Sequence, residues 1–185
     1  MSLPPSMIEK SALRRMLLNA RHAIGPSQKS EWDAAIAAQL EQRLQAQPVE
    51  TLGVFWPIRG EPDLLALYER LAAAGIALAL PVVAGKARPL EFAAWKPGDS
   101  MINDAFGVPT PAEKRLVALP QALLVPCVGF NAGNFRLGYG GGFYDRTLAV
   151  SPRPLTLGIA YSCQAIEFTP GPRDIALDHI VTERL

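Results

Sequence analysis

Apolar positions along the chain follow two rhythms. From Glu9 to Ile24 the run EKSALRRMLLNARHAI repeats at helical spacing, which sets Leu13, Met16, Leu17 and Ala20 on one face. Lys10, Arg14 and Arg21 line one border of that face, and Arg15 points outward. Either their stems lie on apolar surface with their heads reaching a shared anion, or they form a solvated helix surface. A second helix is predicted over about Ser27 to Leu44, where Trp32, Ile36, Leu40 and Leu44 recur at i,i+4 steps.

The second rhythm is the short continuous apolar run of a buried strand. TLGVFWP from Thr51 reads as one such strand, ended by Pro57. IRGEPDLLALYERLAAAG reads as the following helix, with Pro62 in its first turn, Leu64, Leu65, Tyr68 and Leu71 on one side, and Gly75 as its stop. IALALPVV, ALLVPCVGF and PLTLGIAYSCQ give three more strands, and PLEFAAW suits an edge strand. GGFYDRTLAV predicts a short helix, and His179–Thr182 a terminal edge strand. KPGDSMINDAFGVPTPAEKRL is a turn-rich excursion of the kind that covers a cleft. Strand, helix, strand within about thirty residues is a right-handed βαβ unit. The expectation is an α/β fold with three α/β/α layers, one domain over residues 1–185, and a mostly parallel central sheet.

Composition narrows this picture. Apolar residues make up 49% and charged residues 19% of the 185, which excludes a disordered chain. The formal net charge of +1 gives no reason to expect nonspecific binding to nucleic acid or to an anionic membrane, though a local phosphate pocket stays open. Cys127 and Cys163 sit in apolar stretches without metal-ligand spacing, which points to a reducing compartment. No charged leader with an apolar segment opens the chain and no 18-residue apolar run occurs. A cytoplasmic protein without a membrane or nucleic-acid partner, and a monomer rather than an obligate oligomer, is expected.

The chemistry concentrates in FRLGYGGGFYDR, Phe135 to Arg146. It follows a buried strand and leads into a helix, where α/β proteins bind ligands. Glycines there let backbone amides approach an anion, and Arg136 or Arg146 adds charge. The run is neither a Walker A loop, since no Gly-Lys-Ser/Thr follows, nor a dinucleotide fingerprint, since Phe143 stands where the third glycine belongs. The alternative is a turn whose glycines serve its shape alone. Asp145 has three readings: a Mg²⁺ ligand, a helix-start charge or an arginine's partner, with Asp174 and Asp178 available as a second carboxylate. Glu61 can accept hydrogen bonds from a ligand's amino edge or from its own helix start. Trp56, Trp95, Phe55, Phe92 and Phe106 suit the core, with one or two free to stack on a planar ligand. His22 and His179 form no ligand pattern, and nothing nominates a covalent nucleophile.

The glycine segment, EKSALRRMLLNAR, VFWPIRGEPD (Val54–Asp63), LPVV (Leu80–Val83), VPCVGF (Val125–Phe130) and DIALDHIVTE (Asp174–Glu183) together resemble the 5-formyltetrahydrofolate cyclo-ligase (5,10-methenyltetrahydrofolate synthetase) family, in that family's order and over nearly the whole chain. The resemblance implies ATP- and Mg²⁺-dependent conversion of 5-formyltetrahydrofolate to 5,10-methenyltetrahydrofolate. In it the formyl oxygen takes the γ-phosphoryl group, N10 closes the ring and phosphate leaves. It further implies that Lys10, Arg14, Arg136, Gly138, Tyr139, Gly140, Gly141, Gly142, Phe143 and Tyr144 bind ATP. Arg136, Tyr144 and Asp145 are implied as catalytic, Trp56 and Glu61 as folate-binding, and Asp145 with Asp178 as the Mg²⁺ carboxylates. The chain departs from the family pattern at Asn131, Asn134, Gly141, Phe143, Arg173 and Thr110. Asn134 tolerates the left-handed conformation a glycine there would take. Phe143 lacks the hydroxyl of a tyrosine, so that position donates no proton. The alternatives are a divergent α/β protein that binds a nucleotide or phosphate-sugar for another reaction, and a metabolite-binding module without catalysis.

Overall fold

The computed structural model describes residues 5–184, with side chains from residue 9 onward. Two helices, α1 (Pro5–His22) and α2 (Pro26–Ala46), precede β1 (Thr51–Gly53), α3 (Leu65–Ala73) and β2 (Ala77–Val83). Then come β3 (Leu90–Ala94), β4 (Met101–Asn103), β5 (Pro109–Pro111), β6 (Leu116–Val117) and β7 (Ala122–Pro126). The chain continues through β8 (Gly129–Phe130), β9 (Arg136–Leu137), α4 (Phe143–Leu148), β10 (Leu155–Ile159) and β11 (His179–Val181).

Seven strands make the central sheet in the order β11-β10-β7-β1-β2-β3-β6. The five from β11 to β2 are parallel, and β3 and β6 add an antiparallel margin. PLEFAAW, read as an edge, therefore lies inside the sheet, because Leu116 and Val117 pair along its outer side. The expected ALLVPCVGF strand is divided. Its first half is β7, whereas Gly129–Phe130 leaves the sheet to pair with Arg136–Leu137 as a hairpin.

Side-chain alternation builds the layers. Leu78, Leu80 and Leu124 face α2 and α3, packing on Ile36, Leu40, Leu67 and Tyr68. Ala79, Leu123 and Val125 face the other way, onto Leu148 of α4 and Leu177. The result is the three-layer α/β/α arrangement with a largely parallel sheet that the sequence predicts. Glycine is required at Gly53, the last residue of β1, because an added Cβ would lie 2.4 Å from a Leu123 methyl. β1 leads across to β2 on one side and pairs with β7 on the other, so strand order reverses there and opens a crevice at their carboxyl ends.

Two details of the helices differ from the periodicity. In α1 the buried line is Leu17 and Arg21, while Met16 is 50% exposed. The surface beneath this helix is small (Val128, Leu137 and Phe168), and Arg21 turns inward because three acceptors await it. Helix α3 starts at Leu65, after Pro62, because residues 58–61 form a separate turn with Arg59 and Gly60 at φ of 49° and 74°.

Candidate functional site

A cavity of about 520 Å³ occupies the crevice. The ends of β1, β2 and β7 supply an apolar wall that includes Phe55, Trp56, Pro81, Val83 and Pro126. The β4–β5 hairpin roofs it with Asp104, Phe106 and Val108, so the turn-rich excursion does border a cleft. Helix α1 contributes Lys10 and Arg14, the β9–α4 segment contributes residues 136–145, and the tail contributes Asp174.

At the cationic end every positive group is already paired. Arg136 is pulled in from β9 until its side chain is 5% exposed, where Nη2 meets Asp145 Oδ1 at 2.9 Å and Nη1 donates to the Ile175 carbonyl at 3.3 Å. Asp145 stands in the first turn of α4 and also accepts the Ile175 amide at 3.1 Å. Lys10 Nζ lies 2.6 Å from Asp174 Oδ2, which accepts the Gly171 amide as well. Burial alone would raise the Asp174 carboxyl, but Lys10 and the Gly171 amide draw it below the usual carboxylate range. Arg14 donates through Nε to the Gly138 carbonyl at 2.6 Å, and its partial desolvation lowers its pKa against the pull of Asp174.

The glycine loop takes its shape from two positive-φ residues. Gly140 (φ 96°) and Gly142 (φ 65°) turn the chain over Arg14 and into α4, a conformation side-chained residues rarely adopt. An added Cβ at Gly142 would lie 2.8 Å from Arg146 Nη1, and Arg146 in turn donates to the Gly141 carbonyl at 2.7 Å. Phe143 turns its ring to Phe106 of the hairpin, 6.1 Å away edge-on.

Elsewhere in the cavity lining, Glu61 is 2% exposed. Its Oε2 accepts the Ile58 amide at 2.9 Å and its Oε1 accepts the Tyr139 hydroxyl at 2.6 Å. Burial raises its pKa, opposed by Tyr139, the Ile58 amide, Arg21 and Arg59. Glu61 caps its own turn, not helix α3. Trp56 lines the cavity beside it and packs edge-on against Trp95, 6.0 Å between centroids.

Residues 6–183 match the sequence pattern of the 5-formyltetrahydrofolate cyclo-ligase family. The chain belongs to that family. It is 31% identical to the 5-formyltetrahydrofolate cyclo-ligase of Mycoplasma pneumoniae over 95% of this chain and 99% of the relative. The Escherichia coli cyclo-ligase is 32% identical over 90% of this chain and 96% of its own. Among solved structures, the 5,10-methenyltetrahydrofolate synthetase of Mycoplasma pneumoniae superposes with a TM-score of 0.80 at 29% identity, covering 95% of this chain and 99% of that one. The Aquifex aeolicus synthetase gives 0.81 at 29% identity, covering 95% and 90%.

Most residues that the family resemblance singles out meet in this one cavity: Lys10, Arg14, Trp56, Glu61, Arg136, the loop from Gly138 to Gly142, Phe143, Tyr144 and Asp145 all line it. Asp178 does not. Its Oδ2 accepts the amide and hydroxyl of Thr156 at 2.7 and 2.6 Å, and its Oδ1 pairs with Arg153. It ties β10 to the start of β11, while Asp174, four residues earlier, faces the cavity. Tyr139 lines the cavity with its hydroxyl bonded to Glu61. Phe106, expected in the core, is 63% exposed at the rim. Asn134 takes the left-handed conformation at φ 59°, as its side chain allows. Arg21 was expected beside the other cations. Its inward turn has no signal in helical periodicity, since apolar spacing cannot show that carbonyl acceptors lie beneath a helix.

Proposed function

We propose that this cavity holds 5-formyltetrahydrofolate and ATP together, with the folate ring system toward Glu61 and Trp56 and the triphosphate toward Lys10, Arg14, Arg136 and the glycine loop. Family membership makes the chain an ATP-dependent cyclo-ligase that forms 5,10-methenyltetrahydrofolate, ADP and phosphate. The observation that supports the site reading is that Arg136 with Asp145, and Glu61, line one and the same cavity.

Mg²⁺ fits the donor set. Asp145 and Asp174 both border the cationic end, and each receives its protein hydrogen bonds and ion pair on one oxygen, Oδ1 of Asp145 and Oδ2 of Asp174. Among the described residues no group of three or more His, Cys, Asp or Glu side chains encloses a metal. Two carboxylates with phosphate oxygens and water suit Mg²⁺, which seldom sits in an all-protein cage. Bound there, the ion would neutralise phosphate charge and orient the γ-phosphoryl group.

The reaction needs positioning and charge neutralisation more than a protein nucleophile. The formyl oxygen takes the γ-phosphoryl group and ADP leaves. N10 then attacks the activated carbon, loses its proton, and phosphate departs. Arg136, held by Asp145 and the Ile175 carbonyl, presents a fixed guanidinium to the transferring group. Glu61 accepts hydrogen bonds from the folate ring's donors. Burial raises the pKa of the Tyr144 hydroxyl, so it keeps its proton and serves as a donor beside Arg136, whose guanidinium lies 5.7 Å from its ring. The apolar wall excludes water that would otherwise intercept the phosphoryl group.

Among the described residues no helix is long and apolar enough to cross a membrane, and both cysteines are free. We place the enzyme in the cytoplasm as a monomer acting on small molecules. The test is an incubation of purified protein with 5-formyltetrahydrofolate, ATP and Mg²⁺, followed by absorbance of the methenyl product. Product that depends on all three supports the proposal. Absence of product, with ATP hydrolysis indifferent to folate, would sink it.

A further inference from the structure

Glu61 does not stand alone at its end of the cavity. Arg21 Nη2 donates to the Tyr139 hydroxyl oxygen at 2.7 Å, and that hydroxyl lies 2.6 Å from Glu61 Oε1. A guanidinium can only donate and a carboxylate can only accept, so the direction of both bonds is settled: the tyrosine oxygen accepts a hydrogen bond from Arg21 and its O–H donates one to Glu61. Arg21 is itself immobilised, donating through Nε to the Arg59 carbonyl at 3.0 Å and through Nη1 to the Cys127 carbonyl at 3.3 Å. Both ends of the chain of bonds are 2% exposed, whereas Tyr139 is 37% exposed. The guanidinium of Arg59 lies over the Tyr139 ring, 5.2 Å from its centre.

We infer that Tyr139, anchored by Arg21, is a positioning residue for the folate: it fixes the rotation of the Glu61 carboxylate and so directs its accepting lone pairs. This rests on the reading of Glu61 as the group that grips the folate ring. Ile58 and Tyr139 each occupy one carboxylate oxygen, so the remaining lone pairs of both oxygens have a fixed direction. Without the tyrosine proton, Oε1 would lose its bond and the buried carboxylate would lose an interaction that opposes its neutralisation. The groups that act on its charge are Arg21 from α1, Arg59 from its own turn and Tyr139 from the glycine loop. Tyr68, Tyr144 and Cys127 face it from α3, α4 and the end of β7, and burial raises the pKa of each of these three. Burial raises the Glu61 carboxyl as well, and the Tyr139 hydroxyl, the Ile58 amide, Arg21 and Arg59 oppose that rise.

The test is steady-state kinetics of Tyr139→Phe as a function of pH, each substrate varied in turn. The ring is half-exposed and keeps its volume, so the variant preserves the packing. KM for 5-formyltetrahydrofolate is expected to rise about ten-fold, the effect of one hydrogen bond to a charged group. KM for ATP should stay within about two-fold, and the acid limb of kcat/KM for folate should move to higher pH. An equal rise in both KM values, or an unmoved folate KM and acid limb, overturns the inference. Arg21→Lys should raise folate KM in the parent but add little in the Tyr139→Phe background; a full further increase shows that Arg21 does not act through the tyrosine. Glu61→Gln separates this from the reading beneath it. If Glu61→Gln leaves folate KM unchanged, the assignment of Glu61 itself fails; if it raises folate KM while Tyr139→Phe is silent, only the positioning role fails.

Discussion

The two ends of the cavity handle charge in opposite ways. Around Glu61 one carboxylate is sealed from water and bonded to neutral or indirectly cationic partners, with its oxygens directed by Ile58 and Tyr139. Around Arg136 and Lys10 the charges are paired directly, cation to carboxylate, and the carboxylates keep 23% and 28% of their side-chain surface in contact with water. A sealed single charge suits recognition of a neutral ring, because it holds its geometry and rejects groups that cannot donate. Direct ion pairs suit a ligand that is itself ionic: Lys10 can turn from Asp174 to a phosphate, while Arg136 stays fixed on Asp145 and the Ile175 carbonyl. The same fold thus offers a sealed acceptor in one region and direct ion pairs in the other.

The largest break in this contrast comes from Arg136→Met. It leaves Asp145 without its ion pair and removes a fixed donor from the transferring phosphoryl group, so kcat should fall about 100- to 1,000-fold. A loss confined to KM for ATP would show instead that the arginine binds ground state and transition state alike. Asp174→Asn sharpens the contrast at the next level. The Mg²⁺ concentration for half-maximal activity should rise on the order of ten-fold, while Asp178→Asn should leave that titration unmoved and lower stability by about 1 kcal/mol through loss of its Thr156 and Arg153 contacts. If the two variants exchange behaviours in a metal titration and a thermal melt, the carboxylates are assigned the wrong way round. Lys10→Ala, at the more exposed pair, should raise KM for ATP roughly ten-fold and leave KM for folate nearly unchanged. Equal effects on both substrates would erase the distinction between the two ends.

How far these ends were legible in the sequence depends on what each contact requires. Strands such as Ala122–Pro126 declared themselves because burial on both faces leaves an unbroken apolar run. Helix α2 did so because Ile36, Leu40 and Leu44 repeat at its period. The antiparallel partner of β3 did not, since Leu116–Val117 is two residues long and exposed, too short for any period to register. Asp174 and Asp178 are chemically identical and four residues apart. Only the position of Thr156 on β10 captures the second and leaves the first to the cavity. Glu61 was readable as an acceptor, but its partner Tyr139 comes from a loop seventy-eight residues away. Long-range pairing of that kind has no local signature.

Phe106 remains to be followed through. It stands 63% exposed at the cavity's rim, edge-on to Phe143 of the glycine segment. A substrate laid against that lip takes aromatic surface out of water, and each Å² of apolar area so covered changes the heat capacity of association by about −0.45 cal/K/mol. Substrate binding should therefore grow more exothermic with rising temperature, giving this enzyme a calorimetric trace of its hydrophobic rim that is separable from the ion exchange at the phosphate end.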